Sequence, residues 1–193
     1  MRKKLPKTFF ERRTTTVAKE LLGKYIVKNY SAKHPKSRPN KREIGLMITE
    51  VEAYDGPFDL ASHARFGSTP RTKIMFGEAG YFYVYFTYGM HWMVNVVTGP
   101  KNYPAAILLR AGTYIDPVTK KEILINGPAR LTKFLGINKK FNEKPANRKT
   151  GLWFEDRGMA AKKKNIIAGK RIGVDYGGPI WSAKKYNFKL KPA

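Results

Sequence analysis

The chain has 193 residues, enough for one domain with a sizeable core, and 42% of them are hydrophobic, which excludes a disordered composition. Its 38 Lys and Arg against 14 Asp and Glu give a formal charge of +24, which points to a polyanionic partner: DNA, RNA or an anionic membrane surface. There is no cysteine, so disulfides, thiolate zinc sites and thiol nucleophiles are excluded.

Residues 1–13 form a basic arm, expected to be poorly ordered, with no apolar stretch that reads as a signal peptide. Thr14 to Leu22 predicts a short helix. Val17 and Leu21 are four apart, as are Ala18 and Leu22, and Gly23 stands where a left-handed cap is needed. Tyr25 to Tyr30 reads as a strand, residues 31–42 as a polar cationic loop containing His34, and Ile44 to Tyr54 as the next strand. Asp55-Gly56-Pro57 breaks that strand, and an irregular stretch runs to about Gly80.

Ala79 to Pro100 carries no Asp, Glu, Lys or Arg and is long enough to span a bilayer. Its tyrosines, threonine, histidine and asparagine argue for strands 81–88 and 91–98 joined by a turn at Gly89. Ala105 to Ala111 predicts another strand. Gly127-Pro128 opens a helix with Leu131, Phe134 and Leu135 on one face, closed by Gly136. Residues 139–149 and 162–164 are basic loops, and Arg171 to Tyr176 is expected to be a last strand before the break at Gly177-Gly178-Pro179. The sum is an α/β (α+β) fold: a single domain, from residue 14 to 193, with a curved antiparallel β-sheet, a protruding hairpin and surrounding helices.

In the strand 44–54, alternation puts Glu50, Glu52 and Tyr54 on one face, with Met47, Val51 and Ala53 on the other. Two acids two apart are either ordinary solvent-facing residues or a site, and the pattern alone leaves both open. Acids inside a cationic groove repel the phosphates beside them, so they need a reason to be there. In the hairpin, four tyrosines with Phe82, Phe86 and Trp92 are either core or a platform on which bases stack while Lys and Arg meet phosphates. Tyr88, beside the turn glycine, suits a wedge between base pairs. His63 follows Asp59 by four, but two ligands do not complete a metal site, and a pocket-lining or structural histidine fits better.

Ile48-Thr49-Glu50-Val51-Glu52-Ala53-Tyr54 with Gly56-Pro57 resembles the active-site strand of alkyladenine (3-methyladenine) DNA glycosylases. Ala61-Ser62-His63-Ala64, Thr69-Pro70-Arg71, Met75-Phe76, Tyr83 to Met90, Asn95, Leu108 to Ala111 and Asn126 to Leu131 continue the resemblance in order, from about Thr16 to Phe188. It implies a monofunctional DNA N-glycosylase of base excision repair. Glu52 would be the general base, and Arg110 would help to hold the water and a substrate phosphate. Tyr54, His63 and Tyr85 would wall the extruded base, Asn95 would discriminate against the guanine amino group, and Tyr88 would fill the gap in the duplex. It also implies double-stranded DNA with damaged purines as partner, no metal, no organic cofactor, no membrane, and action as a monomer in the cytoplasm of a bacterium or the nucleus of a eukaryote. One departure is visible: where the family usually runs Pro-Trp-Arg-Phe, this chain reads Lys185-Tyr186-Asn187-Phe188. That bears on C-terminal packing rather than on the chemistry. The competing reading is a non-catalytic basic nucleic-acid-binding protein, which explains the charge and the tyrosines and leaves Glu52 without a purpose.

Overall fold

A computed structural model describes residues 2–30 and 43–191. In chain order the elements are β1 (Lys3–Lys4), α1 (Lys7–Phe10), α2 (Thr14–Leu21), β2 (Tyr25–Asn29), β3 (Glu43–Asp55), β4 (Phe82–Thr87), β5 (His91–Val97), β6 (Ala105–Ile115), β7 (Glu122–Asn126), α3 (Pro128–Leu135), β8 (Leu152–Asp156), β9 (Ile166–Gly169), α4 (Gly178–Ala183) and β10 (Asn187–Leu190). The strands make one antiparallel sheet in the order β1-β8-β2-β3-β6-β5-β4, with β7 on β6, and β10 joining β3 to β9. Helices α2 and α3 cover one face, where Val17, Leu21, Leu131 and Leu135 meet Leu46, Ile48, Val51 and Leu109. On the other face a smaller apolar cluster seats Ala64 and Met75, from the segment between β3 and β4, against Tyr83, Val97 and Ala106 of the sheet.

Helix α3 follows the sequence expectation: Pro128 sits in its first turn, and Gly136 takes a left-handed cap, φ 61°, whose N–H returns to the carbonyls of Thr132 and Lys133. Helix α2 ends differently, since the Gly23 N–H goes to the Ile48 carbonyl of β3 instead of back to the helix. The candidate bilayer segment is the β4–β5 hairpin. Among the described residues no helix is long and apolar enough to cross a membrane.

Three expectations are corrected. Residues 2–13 are docked rather than loose. β1 pairs with β8, and Phe10 is buried against Phe154, a contact whose loss costs ~3–5 kcal/mol for a buried aromatic. Residues 171–176 form no strand. The Arg171 side chain turns inward, the chain bends at Gly173 (φ 72°), and α4 starts at Gly178 where a simple break was expected. The third correction concerns β3. Its register against β6 shifts between Ile48 and Val51, a β-bulge. Before the bulge the core face holds Ile44, Leu46 and Ile48; after it, Val51 and Ala53. Met47 therefore does not share the face of Val51 and Ala53. The register is the same on either side, Ile48 opposite Gly112 and Val51 opposite Leu109, and only Glu50 pairs out of it, with Ala111; in a regular strand Glu50, Glu52 and Tyr54 would continue the core row of Ile48. The bulge turns them onto the opposite face, which no local periodicity announces. The loop 31–42 lies outside the described residues.

Candidate active site

Cross-strand register assembles the site floor in one row. Tyr83 of β4 pairs with Asn95 of β5, Asn95 with Leu108 of β6, Leu108 with Glu52 of β3, and Glu52 with Asn187 of β10. Two residues along from these, on the same face, come Tyr85, Arg110 and Tyr54. Over this row lies a cavity of about 280 Å³. Its lining includes Tyr54, His63, Tyr85, Tyr88, Asn95 and Arg110, so six of the seven residues singled out from the sequence converge on it.

The seventh, Glu52, lies directly behind the lining and has no exposed surface. The solvent-facing reading of the two acids is thereby overturned. Oε1 of Glu52 accepts from the Ile172 backbone N–H at 2.8 Å and from Asn187 Nδ2 at 3.2 Å. Oε2 accepts from the Tyr54 hydroxyl at 3.0 Å and from Arg110 Nη1 at 3.2 Å. Arg110 also donates through Nε to Glu50 at 3.2 Å, and Asn187 donates to the same Glu50 oxygen at 2.7 Å. Two donors thus bridge two carboxylates, and the full lone-pair capacity of Glu52 is in use. Burial first, and then the Glu52 charge, push the Tyr54 phenol well above its ordinary range, so it stays a protonated donor.

Asn187 corrects the expectation about the C-terminal departure. The position at which this chain carries Asn touches both carboxylates, so the departure lies in the site. Neither Asn187 nor the Ile172 N–H carried a sequence signal, because they reach Glu52 from 135 and 120 residues away. Tyr83 could have been found, since it stands two residues before Tyr85 on the same strand face.

The aromatic wall is built by β4 and the 3-10 turn His63–Phe66. The His63 ring meets Tyr85 edge-on at 4.8 Å between centroids, and its Nδ1 lies 3.0 Å from the Tyr83 hydroxyl. Burial, together with the cationic Arg71 and Arg65, lowers the His63 pKa to about 4, so the imidazole is neutral near pH 7. Asp59 goes elsewhere: it pairs with Arg171, so it and His63 do not converge on a shared ligand. Asn95 Nδ2 donates to the Tyr83 carbonyl at 3.0 Å, which fixes its amide against the cavity.

At the rim, β5 pairs with β6 only through Asn95–Val97, so the distal half of the hairpin stands clear of the sheet. Its turn carries Tyr88 at φ 52° and Gly89 at φ 65°, closed by the Met90 N–H on the Thr87 carbonyl. Tyr88 is 84% exposed and Met90 67%. A tyrosine held at positive φ costs on the order of 1 kcal/mol or more, and such strain gathers at functional positions. Behind the tip, Phe86 packs on Trp92 at 4.7 Å and stiffens it.

The family profile described as methylpurine-DNA glycosylase matches residues 8–192 of this chain. Among curated relatives, a protein of Anaeromyxobacter sp. (strain Fw109-5) is 40% identical over 97% of this chain and 89% of its own length. One of Borreliella burgdorferi (strain ZS7) is 40% identical over 95% and 94%, and one of Legionella pneumophila (strain Corby) is 39% identical over 98% and 95%. Each bears the name "Putative 3-methyladenine DNA glycosylase".

Proposed function

This chain belongs to the methylpurine-DNA glycosylase family and is a base-excision-repair glycosylase of alkylated purines; from that premise we propose that Glu52 activates a water against C1′ of a nucleotide flipped into the cavity. The observation that carries the reading is the position of Glu52: a buried carboxylate with four donors, placed by a bulge directly behind an aromatic cavity in a chain of charge +24.

A purine inside a duplex stack is out of reach, so its nucleotide must rotate out, at a cost of a few kcal/mol. Tyr88, rigid and exposed, enters the vacated space and blocks return. The extruded base lies among Tyr54, Tyr85 and His63. A purine alkylated at N3 or N7 is cationic. Electron-rich tyrosine faces attract it by ~0.5–2 kcal/mol per good contact, and a neutral His63 does not repel it. The fixed Asn95 amide crowds an exocyclic amino group, which disfavours neutral guanine; in 7-methylguanine the positive charge weakens the glycosidic bond and offsets that crowding.

As the bond from C1′ to the base nitrogen breaks, the electron pair leaves with the purine, which departs neutral, and positive charge grows on the sugar. Glu52 stabilises that charge, takes one proton from the attacking water, and leaves a hydroxyl on C1′ of an abasic site. All four acceptor positions of Glu52 are occupied in the free protein. The water therefore takes the place of one donor, and Arg110, whose guanidinium lines the cavity, is the one a substrate phosphate can draw away. Among the described residues no lysine lines the cavity, which favours water over an amine nucleophile and hence a monofunctional enzyme. The enzyme acts as a monomer where the genome lies, in the cytoplasm of a bacterium or the nucleus of a eukaryote.

Incubation with a duplex carrying one 7-methylguanine tests the assignment. Free base and an alkali-labile abasic site are expected. Binding without base release would favour a damage-binding protein without turnover.

A further inference from the structure

We propose that the buried Asp59–Arg171 ion pair is the positioning element of Glu52, acting through the Ile172 N–H and the Tyr54 ring; this rests on the reading of Glu52 as the base. Both side chains are fully buried, and they meet in two-pronged fashion: Nη1 to Oδ2 at 2.5 Å and Nη2 to Oδ1 at 2.9 Å. Arg171 also donates to the Ala53 carbonyl at 3.0 Å, one residue from Glu52, and to the Trp181 carbonyl of α4 at 3.2 Å. Asp59 accepts the N–H groups of Asp55 at 3.0 Å and Ala61 at 3.1 Å. One ion pair therefore ties together four segments: the end of β3, the turn leading to His63, the strap 171–174, and α4.

Two of those ties end on the carboxylate. Ile172, next in the chain to Arg171, supplies the shortest hydrogen bond to Oε1 of Glu52. The Arg171 guanidinium lies 4.8 Å from the centroid of the Tyr54 ring, whose hydroxyl holds Oε2. Arg171 thus controls one donor on each oxygen without touching Glu52 or the cavity. A brace that served stability alone needs no charge here, since buried ion pairs are often replaceable by apolar packing without loss. Among the described residues, Arg171 Nε is moreover buried with no acceptor, which is destabilising. What the pair supplies is orientation: a planar fork that fixes backbone and ring at once, which a lysine cannot reproduce.

The test measures single-turnover release of 7-methylguanine, affinity for a duplex carrying a stable abasic analogue, and thermal midpoint, in the full chain. Arg171→Lys is expected to slow release by about tenfold to hundredfold, the scale of a small misplacement of a catalytic group. Affinity should stay within about threefold, and the midpoint near that of the parent. Asp59→Asn should slow release and spare affinity to the same extent, but at a lowered midpoint, because all four partners of Asp59 donate and the buried Arg171 charge loses its counter-ion; the double variant should be no slower than the worse single one, because the pair acts as a unit. Parental release by Arg171→Lys would overturn the proposal, as would losses of affinity and midpoint that match the loss of rate. If Arg171→Lys does not fold, Asp59→Asn decides; if neither folds, the pair is a folding element and the proposal falls. Glu52→Gln run alongside separates the two claims. An inactive Glu52→Gln with a parental Arg171→Lys refutes positioning alone, and an active Glu52→Gln refutes the base assignment beneath it.

Discussion

Glu52→Gln removes the charge of the carboxylate while keeping its shape, and the surrounding donors govern how the variant behaves. A glutamine amide offers one oxygen and one NH2 group, whereas all four neighbours of Glu52 donate. Its oxygen belongs on the Oε1 side, where the backbone N–H of Ile172 cannot reverse its role. The NH2 group then faces Tyr54, whose hydroxyl can rotate to accept, and Arg110, which cannot. One charge-assisted hydrogen bond is lost, worth ~1.5–3 kcal/mol. In a chain of this size that lowers the thermal midpoint by about 3–10 °C. Lesion binding should hold within about an order of magnitude, because Tyr54, Tyr85, His63 and Tyr88 remain in place. Excision should fall by about 10²–10⁴, and further to the extent that Glu52 also stabilises the sugar cation. Single-turnover release from a 7-methylguanine duplex, with binding and thermal denaturation in parallel, measures all three. Excision near the parental rate in a folded variant would refute the assignment and direct attention to Glu50, which shares Arg110 and Asn187 with Glu52.

Tyr88→Ala should leave stability within about 0.5 kcal/mol, since the ring is exposed, and should slow excision of paired lesions by about tenfold to hundredfold, the worth of one stacked base; the loss should shrink for a lesion opposite a gap, and equal rates on paired lesions would remove the wedge. His63 sets a pH dependence of stability. Its folded pKa, about 4, lies below the ordinary 6.5, so the unfolded chain takes up a proton first as pH falls, and up to about 3 kcal/mol is lost between those values. Urea denaturation across this window should show a shallower dependence in His63→Gln than in the parent, and superimposable dependences would contradict a buried neutral imidazole. Non-specific DNA affinity should fall steeply with salt, by about 0.9 logarithmic units per phosphate contact for each tenfold rise in salt. Joint neutralisation of Lys33, Lys36, Arg38, Lys41 and Arg42 should flatten that slope if loop 31–42 meets phosphates. An unchanged slope would assign the loop to solvent.

Much of the molecule was legible in the sequence, because it is written in local chemistry. Periodicity defined α2, periodicity and caps defined α3, alternating aromatics defined the β4–β5 hairpin, and a tyrosine beside a glycine marked its exposed tip. The excess of cations pointed to a polyanion without choosing among DNA, RNA and membrane, and the acids of one strand left a site and a solvent-facing surface both open until the resemblance assigned them. Tertiary structure decided the rest. Strand parity alone would have continued the core row of Ile48 into Glu50, Glu52 and Tyr54, and only the bulge against β6 turned them to the cavity. The strap at Ile172 and the strand at Asn187 closed over Glu52 from more than a hundred residues away. Arg171, read locally as part of a strand, became the buried partner of Asp59. Local spacing records which side chains share a face, but not which distant segment will cover it. That choice belongs to the long-range pairing of β10 with β3, which brings together residues more than a hundred positions apart.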